Sequence, residues 1–247
     1  MEKKLRYPLI VKPIAEGTSK GIGEKSVVVD DNNLREVVKT LLERYKQPAL
    51  VEEYITGREF TVGLLGEKRP RVLPPMEIVF TDSSIAHPVY SFAIKQDWDK
   101  HVKYVCPATL TPAEFKNVER AARATFEALD CRDVARVDLR MAPDGKVYVI
   151  EINPLPGLTP KFSDLVLIAE AAGIDYRTLI GEIMSGAIKR LKEKHREVRL
   201  PIAGPNALVA PHNANGNGPH PVSAAVGVVP EAAGLVAVES SKEPSTA

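Results

Sequence analysis

Arg136-Val137-Asp138 and, after a turn, Glu151-Ile152-Asn153-Pro154 are the stretch that decides how this chain folds. Residues 134–141 run up to a Pro-Asp-Gly turn at 143–145, and residues 146–152 run back from it. Valine, leucine and isoleucine recur along both arms, which is typical of paired β-strands with one buried face. The stretch therefore predicts an antiparallel hairpin that carries several charged side chains.

Four polar side chains of this hairpin are predicted to converge. Alternate residues of a strand share a face, so Arg136 lies beside Asp138, and Glu151 lies beside Asn153. We expect a register in which Asp138 opposes Glu151 and Arg136 opposes Asn153. Opposed carboxylates repel each other unless positive charge lies between them, and Mg²⁺ prefers such oxygen ligands. The hairpin thus predicts a magnesium site, with a pair of solvated strand carboxylates as the alternative.

The composition is that of an ordinary globular protein. The 247 residues can form one large domain or two small ones, and 26% are charged and 44% hydrophobic. A net charge of +1 gives no reason to expect nucleic acid or an anionic membrane as a partner. No apolar run is long enough to cross a bilayer, and the charged N-terminus is unlike a secretory signal. Cys106 and Cys131 lie far apart and indicate neither a disulfide framework nor a zinc site, so we expect a cytoplasmic protein.

Further strands and helices are predicted on both sides of the hairpin. Apolar runs predict strands at residues 9–11, 26–29, 49–54, 60–65 and 72–80, with Pro74-Pro75 interrupting the last one. Helices are predicted after a cap at Asn32 or Asn33, over about 111–129 with Thr111 as cap, at 164–172, and from a cap at Asp175 to about 194. Residues 81–100 lack a clear period and predict a mobile loop. Residues 199–247 predict a disordered tail rich in Pro, Ala and Gly, since no Lys, Arg, Asp or Glu lies between Arg199 and Glu231.

A glycine-rich segment directly follows the first predicted strand. Lys12 ends that strand, and residues 16–23 read Glu-Gly-Thr-Ser-Lys-Gly-Ile-Gly. Glycines allow backbone N–H groups to point at a common anion, and a lysine adds a positive charge for a phosphate. The spacing differs from a Walker A motif, and a strand follows instead of a helix. By itself the segment could also be a flexible hairpin loop with a solvated lysine.

Three motifs in a fixed order resemble a known family. They are Val-Lys-Pro at 11–13 with the loop that follows, Val-Glu-Glu-Tyr-Ile-Thr-Gly-Arg-Glu-Phe-Thr-Val at 51–62, and the hairpin with its Pro-Leu-Pro-Gly-Leu-Thr continuation at 154–159. Together they resemble the ATP-grasp carboxylate–amine ligases, and within them the D-alanine–D-alanine ligase family, over about residues 7–190. The resemblance implies an α+β ATP-grasp fold at 1–198, with antiparallel sheets in two sub-lobes, about 7–66 and 67–198, that hold ATP between them.

The resemblance also implies an activity. Members of such a family use ATP to phosphorylate a carboxylate, and an amine then displaces phosphate from the acyl phosphate. For this chain the implied reaction is the joining of D-alanine to D-alanine in the synthesis of peptidoglycan precursors. Its small-molecule partners would be amino acids and ATP, and its metal would be two Mg²⁺ ions, with Mn²⁺ as a possible substitute.

Site residues follow from the resemblance position by position. Lys12 would contact the ATP phosphates, under a loop that includes Gly17, Thr18, Ser19 and Gly21. The hinge that meets adenine would be Glu52, Glu53, Tyr54 and Ile55, and Glu59 would hold the ribose. The two metal ions would be ligated by Asp138, Glu151 and Asn153. Arg136 and the N–H of Gly157 would stabilise the oxyanion, and Lys95 would reach the γ-phosphate.

Two departures from the family pattern leave alternatives open. The family has an N-terminal domain ahead of the first grasp strand, so we expect a natural truncation, a fragment, a homodimer or a separate chain that supplies it. Phe162 stands where the family usually has a serine that helps to hold the acceptor's carboxylate, which favours a different amino acid or hydroxy acid as acceptor. A nucleotide-binding module without full activity is the third alternative.

Overall fold

The computed structural model describes residues 5–17, 19–91, 94, 98–197 and 236–238. Two antiparallel sheets organise these residues, one of four strands and one of six. Lys95 and Thr18 lie outside the described residues, so the roles predicted for them stay predictions. The same holds for the predicted tail, except that residues 236–238 form a short strand.

The smaller sheet carries the first predicted motif. Its strand order is β10-β3-β1-β2, with β1 at Leu9–Pro13, β2 at Val27–Val28, β3 at Ala49–Glu53 and β10 at Val236–Val238. Leu9 and Val11 are buried against helix α1 (Asp31–Tyr45), so the alternate residues Ile10 and Lys12 face away from that helix. Because side chains alternate along the strand, Lys12 points toward the space between the two sheets.

The N-cap of the first helix lies two or three residues earlier than predicted. Asp30, instead of Asn32 or Asn33, is the N-cap, and its carboxylate accepts both of their backbone N–H groups at 2.9 Å. A carboxylate at this position is also favoured by the positive end of the helix dipole. The two asparagines therefore belong to the first turn of the helix.

The larger sheet carries the hairpin. Its order is β7-β6-β4-β8-β9, with β5 paired to β4. The strands are β4 (Arg58–Gly66), β5 (Arg71–Val72), β6 (Met76–Phe80), β7 (Val102–Val105), β8 (Asp133–Met141) and β9 (Val147–Asn153). Because β4 lies at the centre of this sheet, the predicted lobe boundary near residue 66 is wrong, and the chain crosses between sheets near Gly57. The predicted interruption by Pro74-Pro75 separates β5 from β6.

Helices cover both faces of the larger sheet. Helix α2 (Trp98–His101) is short, and helix α3 (Pro112–Ala128) packs on one face, where Phe60, Val137 and Phe126 are buried together. Thr111 and Glu114 form the predicted capping box at its start. Helices α4 (Asp164–Ala171) and α5 (Tyr176–Glu197) cover part of the other face. The remainder of that face lines a cavity.

The hairpin has the predicted register. Asp138 opposes Glu151, and Arg136 opposes Asn153. The pairing is not continuous, since it shifts by one residue between Asp138 and Leu139, as in a β-bulge. In the described part of the chain, every helix is too short or too polar to cross a membrane.

Candidate active site

A cavity of about 980 Å³ lies between the two sheets. Its size is at the upper end of the range found for small-molecule sites. Ten of the predicted site residues line it: Lys12, Ser19, Glu52, Glu53, Tyr54, Ile55, Glu59, Arg136, Asp138 and Glu151. They come from both sheets and from the connection between them, so only the folded chain brings them together.

Asp138 accepts four hydrogen bonds from side chains around it. Arg136 donates to both of its oxygens, with Nε–Oδ1 at 3.1 Å and Nη2–Oδ2 at 3.0 Å. Thr61, its cross-strand partner in β4, donates to Oδ1 at 2.6 Å. Asn153 Nδ2 donates to Oδ2 at 3.3 Å. These contacts fix the orientation of the carboxylate before any ligand binds.

Glu151 and Asn153 complete the predicted metal-binding set. Asn153 Nδ2 lies 3.3 Å from Glu151 Oε1 as well as from Asp138 Oδ2, so one amide group bridges both carboxylates. Two carboxylates and an amide oxygen suit Mg²⁺, provided that the Asn153 amide turns its oxygen toward the ion. Among the described residues, no group of three His, Cys, Asp or Glu side chains could hold a metal. With two carboxylates and one amide, these residues fit a cation that takes its other ligands from phosphate and water.

Arg136 is held from two sides. Besides its bidentate pair with Asp138, its Nη1 lies 3.2 Å from Asp164 Oδ2. The side chains of Arg136, Asp138 and Asp164 are 13%, 14% and 18% exposed. Burial alone would lower the pKa of Arg136, but the charge and hydrogen bonds of Asp138, with the charges of Asp164 and Glu151, raise that pKa above its ordinary value. The guanidinium therefore stays charged at any physiological pH.

Three further buried side chains line the cavity: Tyr54, Glu59 and Arg140. Glu59 in β4 opposes Arg140 in β8, with Oε2 and Nε 3.6 Å apart. The Arg140 guanidinium lies 4.6 Å from the centre of the Tyr54 ring, and the Tyr54 hydroxyl donates to Pro88 O at 2.6 Å. Burial raises the pKa of Tyr54. Arg140 was not predicted as a site residue, although its spacing from Arg136 and Asp138 along β8 places it on the same face.

The phosphate-loop prediction is supported only in part. Lys12 reaches the cavity, where its ammonium forms an ion pair with Glu52. Gly21 has a positive φ of 77°, and an added Cβ would lie 2.6 Å from Pro13 Cγ. However, the amides of Lys20 and Ile22 donate to carbonyl groups within the loop itself. In this conformation those two N–H groups are not directed at an anion.

The structure leaves several predicted residues outside the cavity wall. These are Gly17, Gly21, Asn153 and Gly157, although Asn153 contacts two residues that line it. Gly157 lies beside Ser163, whose hydroxyl would be 2.8 Å from a Cβ at that position. Ser163 in turn accepts the Thr159 N–H at 2.9 Å. Glu53 lines the cavity but pairs with Arg6, Nη2–Oε2 at 3.1 Å.

Comparison with known proteins shows the family of this chain. The family described as "D-ala D-ala ligase C-terminus" matches residues 1–185. The uncharacterized protein y4sG of Sinorhizobium fredii is 38% identical over 186 residues, which are 75% of this chain and 54% of that protein. A D-alanine–D-alanine ligase of Pediococcus pentosaceus is 37% identical over 187 residues, covering 76% of this chain and 49% of the ligase.

Solved structures of ligases also superpose on this chain. The D-alanine–D-alanine ligase of Bacillus anthracis complexed with ATP superposes with a TM-score of 0.59 at 28% identity, covering 76% of this chain and 56% of that one. The VanG D-Ala:D-Ser ligase of Enterococcus faecalis superposes with a TM-score of 0.60 at 25% identity, covering 73% and 50%. The chain spans about half the length of the curated relatives that it matches. By its sequence and fold, this chain belongs to the D-alanine–D-alanine ligase family, and the part that it matches is the C-terminal domain.

Proposed function

We propose that this chain carries the nucleotide- and metal-binding part of an ATP-dependent ligase that joins a carboxylate to an amine. The expected substrates are two D-alanine molecules, and the expected product is a precursor of peptidoglycan, made in the cytoplasm. The observation that carries the proposal is the convergence of Asp138, Glu151 and Arg136 in a cavity that Lys12 also lines. Such a cavity suits a polyphosphate with divalent cations at one end and a base at the other.

The charge of the site suits phosphoryl transfer. Asp138, Glu151 and Asn153 would hold Mg²⁺, and Mn²⁺ could replace it. When bound, the metal neutralises phosphate oxygens and lowers the energy of the charge that develops during transfer. Lys12 would exchange its Glu52 partner for a phosphate oxygen, because a phosphate carries more charge than one carboxylate.

Arg136 would act on the carboxylate that becomes phosphorylated. A carboxylate is a poor electrophile, and an acyl phosphate is a good one. When an amine attacks, negative charge builds on the acyl oxygen, and a fixed guanidinium stabilises that charge better than water does. We assign Arg136 and the Gly157 N–H to this task, and Lys95 to the γ-phosphate. Glu59, with Arg140 beside it, would accept hydrogen bonds from the ribose hydroxyls.

A binding and turnover experiment tests the proposal. ATP binding to the full chain is measured by calorimetry with and without Mg²⁺, and ADP release is then measured with D-alanine. We expect Mg²⁺ to strengthen ATP binding and D-alanine to stimulate ADP release. Absence of Mg²⁺-dependent ATP binding would overturn the proposal. Binding without turnover would favour a nucleotide-binding module that needs a second copy or another chain for activity.

A different acceptor is the second candidate. Phe162 stands where the family usually has a serine, and this residue is 59% exposed. The superposition with a ligase titled D-Ala:D-Ser supports variation of the acceptor within this fold. The same ADP-release assay with L-amino acids and D-lactate separates the two candidates, since only the preferred acceptor raises turnover above the ATP-only rate.

A further inference from the structure

Asp164 reaches the charged centre from a separate element of the fold. It is the first residue of α4, next to Leu165, which is fully buried. Leu165 packs against Gly63 of β4, where an added Cβ would lie only 2.7 Å from Leu165 Cδ1. Gly63 pairs with Arg136 across β4 and β8. The missing side chain at position 63 thus allows α4 to approach the sheet and brings Asp164 within 3.2 Å of Arg136 Nη1.

Tyr104, with Tyr90 bonded to it, holds Asp164 in this place. The Tyr104 hydroxyl, on β7, donates a hydrogen bond to Asp164, and the hydroxyls of Tyr90 and Tyr104 are hydrogen-bonded to each other. Burial, followed by the charge of Asp164, raises the pKa of Tyr104 to about 12. Burial and the hydrogen bond to Tyr104 raise the pKa of Tyr90 as well, so both tyrosines stay protonated at neutral pH. The chain of contacts runs from Tyr90 through Tyr104 and Asp164 to Arg136.

Asp138 has two tasks that compete in the proposed function. It is the anion that neutralises the buried Arg136, and it is also a predicted ligand of Mg²⁺. When a divalent cation draws charge from Asp138, Arg136 loses part of its neutralisation, and its own positive charge repels the cation. An uncompensated buried charge is costly, so a second anion at the guanidinium becomes important at that moment.

We infer that Asp164 is a positioning residue that holds the Arg136 guanidinium while Asp138 binds the divalent cation. The inference rests on the proposed function, because it assumes that Asp138 is a metal ligand. Partners that orient a ligand or its neighbours typically change metal affinity about 10- to 100-fold when they are removed. We therefore expect Asp164 to affect the metal-dependent part of nucleotide binding and to leave the metal-free part unchanged.

The test measures ATP dissociation constants with and without Mg²⁺ for the full chain and three variants. Asp164→Asn should reduce the strengthening of ATP binding by Mg²⁺ about tenfold, with the metal-free constant within about twofold of the wild type. Tyr104→Phe removes the hydroxyl that bonds both Asp164 and Tyr90 but leaves Asp164 charged, so it should reduce the strengthening by Mg²⁺ less than Asp164→Asn does. Asp164→Glu should restore part of the effect. Melting temperatures of all variants report any loss of folding.

Glu170→Gln is the matched control. It removes the same charge from the same helix α4, but its side chain is exposed on the second turn, so Mg²⁺ should strengthen ATP binding as in the wild type. If Asp164→Asn lowers only the melting temperature, Asp164 merely stabilises the fold and the inference is wrong. If Asp164→Asn does not fold, the inference is tested with Tyr104→Phe, by measuring how much Mg²⁺ strengthens ATP binding to that variant. An unchanged effect of Mg²⁺ would then contradict the inference. A wild-type chain that binds ATP equally with and without Mg²⁺ would instead overturn the proposed function.

Discussion

Asp138 and Glu151 oppose each other because strands β8 and β9 change register by one residue beside them. Nearer the turn, Leu139 pairs with Val149, and regular pairing would continue with Ile150 opposite Asp138. Glu151 would then oppose Val137 and point into the buried core under α3. Ile150 is the extra residue that the bulge accommodates. The bulge therefore turns Glu151 out of the core and onto the face of Asp138.

Glu151→Gln should weaken Mg²⁺-dependent ATP binding without unfolding the chain. The Glu151 side chain is exposed, and its one described hydrogen bond is to Asn153, so an amide of the same size costs little stability. The lost charge weakens a divalent ligand set that has only two carboxylates. We expect at least about a tenfold loss in Mg²⁺-dependent affinity and a melting temperature within about 2 °C of the wild type. Calorimetry and thermal unfolding measure the two quantities.

Glu127→Gln is the control for that prediction. Glu127 is an exposed carboxylate near the end of α3, on the other face of the larger sheet from the cavity. Removing its charge should leave ATP binding unchanged. An equal loss of Mg²⁺ dependence in both variants would mean that overall charge, rather than a ligand at position 151, controls binding.

Lys12 and Glu52 should have opposite effects on ATP affinity. Their ion pair must open before Lys12 can contact a phosphate. Lys12→Met removes the cation and should weaken ATP binding about tenfold. Glu52→Gln releases Lys12 and should strengthen ATP binding about two- to fivefold, the range of a partly exposed ion pair. Adenosine has no phosphate, so its affinity should be unchanged in Lys12→Met, and an equal loss for adenosine would show that Lys12 does not contact the phosphates.

Gly57→Ala should destabilise the chain strongly. Gly57 joins the two sheets with a φ of 130°, and an added Cβ would lie 2.1 Å from the backbone oxygen of Met141. We expect a loss of about 3 kcal/mol in the free energy of unfolding, measured with urea. Gly145→Ala is the control, because its φ is 81° but no atom lies within 4 Å of the added Cβ. Its loss should be about 1 kcal/mol, from backbone strain alone, and equal losses would contradict the predicted clash.

Asp133→Asn should reveal a pH-dependent contribution to stability. Arg190 donates to both Asp133 oxygens at 2.7 and 2.5 Å, and this hydrogen bonding holds the pKa of Asp133 below its ordinary value. A carboxylate with a lowered folded pKa stabilises the fold above its unfolded pKa of about 3.9, and this stabilisation is lost as the pH falls through the folded value. Urea unfolding should show a loss of about 1–2 kcal/mol at pH 7 that shrinks below about pH 4.

Asp130→Asn gives the matched comparison. Asp130 and Asp133 both have positive φ angles, which asparagine tolerates, and both pair with an arginine. The Asp130 side chain is 86% exposed, whereas that of Asp133 is 15% exposed. Solvent screens the exposed pair, so Asp130→Asn should leave stability unchanged at every pH. Equal losses in the two variants would contradict the role assigned to burial.

Structural features that depend on neighbouring residues were predicted correctly from the sequence. The capping box of Thr111 and Glu114 depends on neighbouring residues alone, and the hairpin register followed from the need to place polar side chains on one face. The cap of α1 was misplaced because Asp30, Asn32 and Asn33 all favour caps, and the backbone geometry that selects among them is not visible in the sequence. The lobe boundary was wrong because an apolar strand does not show which sheet it joins.

The order of residues along the chain is enough to show which side chains are available for chemistry and which face of each strand they occupy. Strand alternation placed Arg136 beside Asp138 and turned Lys12 away from the core, since successive side chains point to opposite faces. Two contacts between separate elements became visible only in the folded chain. One is the β-bulge that turns Glu151 toward Asp138, and the other is the approach of helix α4, with Asp164, to the sheet at Gly63. Those contacts depend on the packing of segments that are distant along the chain, and no local pattern encodes the distance between them.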